Sequence, residues 1–65
     1  MDTFDRVAMR RRLIEATFRN RDAADRFRIE AEGAGNRKEA RSWAARIRNL
    51  DKHIAKYGLK RPANF

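Results

Sequence analysis

Hydrophobic positions in the C-terminal half of the chain fall on one side of a helix. Ala40, Trp43, Ile47, Leu50, Ile54 and Tyr57 follow 3-4-3-4-3 spacing, a heptad-like seam. Lys38, Arg41, Ala45, Arg48, Lys52 and Lys56 take the opposite side, a basic stripe interrupted by one small residue. Asn36 is a favourable N-cap, and Glu39 three residues on can reach back to the cap's backbone N–H, as in a capping box. Gly58 suits the left-handed position past the last turn, with Leu59 folding back toward Ile54 in a Schellman close. The pattern predicts a helix between Asn36 and Gly58. One face wants a core and the other wants an anion.

The N-terminal half is apolar on two faces. Phe4, Val7, Arg11, Ile14 and Phe18 keep 3-4-3-4 spacing, with an arginine in one place. Met9, Leu13, Ala16, Ala24, Phe27 and Ala31 collect on the other side of the wheel. Asp2 or Thr3 is the expected cap, and Asp5 adds negative charge to the first turn. Asp22 and Asp25 offer a second start near Asn20, which would give three helices. Against a break, the stretch holds neither Gly nor Pro. Arg11–Glu15, Glu15–Arg19, Asp22–Arg26, Arg26–Glu30 and Arg28–Glu32 also sit at i, i+4, each worth a few tenths of a kcal/mol. The favoured reading is one long helix from about residue 3 to 32.

Gly33-Ala34-Gly35 is short enough to turn the second helix back antiparallel. The fold class is therefore all-α. An antiparallel helical hairpin spans residues 1–57, followed by a basic extended tail over 58–65, where Pro62 discourages further helix. Folding back brings Phe27 near Trp43, and Leu13, Thr17 and Ala24 toward Ile47, Leu50 and Ile54. On this reading Phe4, Val7, Ile14 and Phe18 face away as a protein interface. A lone hairpin leaves them in water, so tail packing, homo-oligomerisation or docking on a partner is expected to complete the core.

Composition narrows the function. The chain has 65 residues and no cysteine, so neither a disulfide nor a thiolate metal site is expected. No apolar run reaches the length of a membrane span, and the N-terminus does not follow a signal-peptide pattern. A cytoplasmic protein, or a virion component if virus-encoded, is expected. The net charge of +8 is unevenly placed. Residues 1–36 hold eight arginines against seven acids, while residues 37–65 hold nine Lys and Arg against Glu39 and Asp51. Such concentration points to nucleic acid or an acidic protein surface.

Catalytic chemistry is not expected. His53 is the only histidine and has no cysteine or second histidine to share a metal. Gly33-Ala34-Gly35 lacks the spacing and the preceding strand of a phosphate-binding loop. Trp43 reads as a core anchor, and no cofactor is implied. The functional expectation is a small nucleic-acid-binding accessory protein. Lys38, Arg41, Arg48 and Lys52 contact phosphates, and Lys56, Lys60 and Arg61 extend the track. Asn49 is the one amide on the outer face suited to base edges, which favours sequence-tolerant binding of DNA or RNA. The alternative is a structural or inhibitory subunit of a larger assembly, such as a virion, a nucleoprotein particle or a host enzyme complex.

Overall fold

A computed structural model describes residues 5–63 and residue 65. It contains two helices, α1 (Arg6–Gly33) and α2 (Arg37–Tyr57), packed as a hairpin within an envelope of 53 × 20 × 20 Å. Neither helix is long and apolar enough to cross a membrane. α1 runs unbroken past Asn20, as the absence of glycine and proline there predicts. Asp5 caps it, its Oδ1 accepting from the N–H groups of Val7 and Ala8 at 3.0 and 3.2 Å. The caps expected at Asp2 or Thr3 lie outside the described residues.

The turn is built from two helix ends sharing one residue. Gly35 takes the left-handed conformation at φ 77°, and its N–H donates to the Glu32 carbonyl at 3.1 Å. The Asn36 N–H then donates to the Ala31 carbonyl at 2.8 Å, completing a Schellman close of α1. The side chain of the same residue caps α2, Asn36 Oδ1 accepting from the Glu39 N–H at 3.1 Å. The expected capping box is thereby altered. With the Asn36 backbone N–H already committed, Glu39 accepts instead from the Asn36 side-chain amide at 3.0 Å. At the far end Gly58 (φ 60°) and the Leu59 N–H, donating to the Ile54 carbonyl at 2.9 Å, close α2 as predicted.

The buried core is small. It consists of Phe18, Ala24, Ala31, Ala40 and Ile47. Ala24 and Ala31 are seven residues apart and give α2 a smooth strip to pack on. Phe27 is displaced to the edge, where its ring lies 4.9 Å from that of Trp43, the pairing that the fold-back predicts. α1 meets α2 with the expected side at Ala24 and Ala31, and the departures lie at individual large residues. Leu13 is 61% exposed and Phe27 47%, whereas Phe18, expected to face outward, is 6% exposed. Trp43 is half-buried rather than enclosed.

The tail accounts for Phe18. The Arg61 guanidinium lies 5.0 Å from the centre of the Phe18 ring and forks onto Asp22, at 2.8 and 2.9 Å. Pro62 and Ala63 line a hollow with Val7, Arg11 and Ile14, and Arg19 stands 5.5 Å over the Phe65 ring. The stripe is thus covered in part by the chain itself. Phe4 lies outside the described residues, Val7 stays 70% exposed and Ile14 is half-buried.

Two glycine substitutions should have opposite effects. A Cβ meets nothing at either Gly33 or Gly58, but only Gly58 has positive φ. Gly33→Ala is expected to stabilise the hairpin by about 0.5–1 kcal/mol, through a lower conformational entropy of the unfolded chain. Gly58→Ala should destabilise it by about 1–2 kcal/mol. Urea unfolding followed by far-UV circular dichroism measures both.

Candidate nucleic-acid interface

α2 carries the stripe because its seam is used up inward. Ala40 and Ile47 are buried, with Trp43, Leu50 and Ile54 partly buried beside them. Helical period then points Lys38, Arg41, Arg48, Lys52 and Lys56 outward, and all are exposed. From Lys38 to Lys56 the stripe is about 27 Å long at the helical rise of 1.5 Å per residue. Ala45 lies within it, half-buried, so the middle of the track is low.

The distribution of ion pairs separates structural from free cations. Among the described residues, the pairs involve only Arg21, Arg28 and Arg61. Arg21 bridges the helices to Asp51 at 2.8 Å, and this hydrogen bond raises its pKa. Arg28 bonds Asp25 and Glu32, each at 2.8 Å, which raises its pKa likewise, the Asp25 hydrogen bond first. Of the five i, i+4 pairs expected along α1, only Arg28–Glu32 forms. Asp22 has turned from Arg26 to Arg61, whose fork is the stronger geometry. Arg61, expected on the phosphate track, is also a structural residue that fastens the tail to α1. Lys60 stays exposed beside Arg10 and Arg11, at the end of the molecule where the tail meets α1.

The residue pattern did not single out Arg37 and Arg46. Arg37, exposed, adds a cation at the start of α2. Arg46 lies on the flank of the seam, its guanidinium 5.1 Å from the Trp43 ring centre. The i, i+3 spacing from Trp43 was its available signal. His53 is exposed with its ring 4.8 Å from that of Tyr57, and no cluster of potential metal ligands occurs among the described residues. Comparison with known protein families, with curated proteins and with solved structures found no match.

The Asp22 carboxyl is held below its ordinary value of 3.8, chiefly by the Arg61 hydrogen bond. A depressed carboxylate stabilises the docked tail fully above that value and loses its effect as pH falls through the lowered one. Asp22→Asn should reproduce the loss at neutral pH. Brief trypsin treatment followed by mass spectrometry is expected to show faster cleavage after Lys60 in the variant, with the helices still protected. Equal cleavage rates would show that the fork does not hold the tail.

Proposed function

We propose that this chain is a small, non-enzymatic accessory protein that binds nucleic acid through phosphate contacts along the outer face of α2. The observation that carries this reading is the sorting of charge. Asp5 caps a helix, Glu39 braces another cap, and Asp22, Asp25, Glu32 and Asp51 pair with the three structural arginines. Lys38, Arg41, Arg48, Lys52 and Lys56 have no carboxylate partner among the described residues, and unlike the unpaired arginines of α1, which point around the helix, they share one face. A row of exposed cations without internal neutralisation attracts a polyanion and releases its counterions on contact. Lys60 and Arg37 extend the row at its two ends.

A second reading, a subunit docked on a protein partner, is supported by the exposed Val7 and Leu13. Under it the chain completes its core on another copy or in a larger assembly, in the cytoplasm or in a virion. It gives little affinity for free nucleic acid and a loss of docking when Val7 is made polar.

Filter binding across a salt series separates the two. With five duplex phosphates neutralised, the log–log slope should be about −4.5, a loss of roughly 500-fold between 50 and 200 mM salt. Replacing both Arg41 and Arg48 with glutamine should reduce the magnitude of that slope by about two phosphates' worth and weaken all sequences alike. Helicity should be unchanged, because both side chains are exposed and unpaired. Binding absent at low salt, or indifferent to the double substitution, leaves the stripe a solvated face.

A further inference from the structure

With the tail lying against the Phe18 side, the opposite side of the hairpin remains open. A groove of about 650 Å³ runs between the helices there, bordered by Asn20, Phe27, Trp43, Arg46 and Asn49. A second hollow of about 270 Å³ continues it toward Leu13 and Tyr57, the two sharing Thr17 and His53. Two aromatic pairs stand along this line, Phe27 with Trp43 and His53 with Tyr57, at 4.9 and 4.8 Å between ring centres. Each has a cation beside it: Arg46 at Trp43, and Lys56 5.4 Å from the Tyr57 ring centre. No carboxylate lines either hollow, and Glu39 stands at the edge of the first, its Oε1 accepting from Trp43 Nε1 at 3.5 Å.

That chemistry selects among occupants. In a two-fold contact made through this side, Arg10 and Arg46 approach a surface whose carboxylate at Glu39 already accepts from the Asn36 amide and the Trp43 indole, so a second copy is poorly matched. A purely aliphatic partner leaves the Asn20 and Asn49 amides without bonds. A planar group with hydrogen-bonding edges, carried on an anionic strand, satisfies rings, amides and cations together. Asn49 lies three residues before Lys52 and seven before Lys56, so the groove borders the basic stripe. A strand whose phosphates follow the stripe brings its bases to the groove. In a duplex those bases are paired and stacked inside.

The geometry points to single-stranded nucleic acid as the ligand, with unpaired bases stacking at the Phe27–Trp43 and His53–Tyr57 pairs and meeting Asn20 and Asn49 at their edges. This deepens, and rests on, the phosphate-binding reading of α2.

Trp43 is the only tryptophan, so its emission reports on the groove. The full chain is titrated at low salt with a fluorescein-labelled oligothymidylate, with a duplex of equal length, and with polyglutamate. Oligothymidylate is expected to quench Trp43 and to bind at least about tenfold tighter than duplex, stacking being lost in the latter. By anisotropy of the label, Phe27→Ala should weaken oligothymidylate roughly 5- to 150-fold and duplex little. If Phe27→Ala loses helicity, Arg46→Gln, at an exposed position, makes the same comparison. Equal binding of both nucleic acids with Trp43 unchanged overturns the inference and leaves the phosphate reading standing. Binding of neither overturns both. Polyglutamate that matches oligothymidylate in affinity and quenching overturns the inference in favour of an acidic polypeptide.

Discussion

The hairpin depends on Asn36 being bonded in both directions. Its backbone N–H ends α1 on the Ala31 carbonyl, and its side chain begins α2 on the Glu39 N–H. One residue is thus the last partner of one helix and the cap of the next, so the reversal has little freedom left. Gly35 makes this possible, since the left-handed turn before Asn36 excludes most side chains. With the junction fixed, the rotation of α2 is fixed, and with it which residues form the seam and which face water.

Local features were the legible ones. The cap at Asn36, the close at Gly58 and the seam of α2 are set by residues within one or two turns of each other. The burial of Phe18 on the other side of α1 was not legible in the same way. The helix's two apolar stripes compete on nearly equal terms, and periodicity alone does not rank them. Ala24 and Ala31 give the first stripe the closer approach to α2, and the second is covered at Phe18 by a tail thirty-nine residues from its anchor. Asp22 has Arg26 one turn away, so the spacing points to the wrong arginine. In the fold, Arg61 also gains the Phe18 ring. Of the expected track, the cations on α2 lie where the wheel puts them. The bond from Arg61 to Asp22 was not legible, because a terminal segment carries no period to read.

Charge and fold are allocated together. Among the described residues most of the acids are engaged as caps or in pairs, Glu15 and Glu30 excepted, while the cations of α2 form no ion pair. The pairs bind the helices to each other and to the tail, Arg21 to Asp51 and Arg61 to Asp22. Exposed pairs of this kind contribute little to stability individually. Their main effect is on geometry. They hold one side of the hairpin together, so that the side bearing Phe27, Trp43 and Tyr57 is the one left accessible.

The alanine strip between the helices bears on how the protein responds to temperature. Among the described residues three of the five buried ones are alanine, so folding removes little apolar surface from water. The heat-capacity change of unfolding scales with that surface and should be low even for so short a chain. Its stability curve is then flat, with a modest enthalpy at the midpoint. The cooperative melt of a larger domain is replaced by a shallow one, in which the ends of the hairpin loosen well before the Asn36 junction gives way.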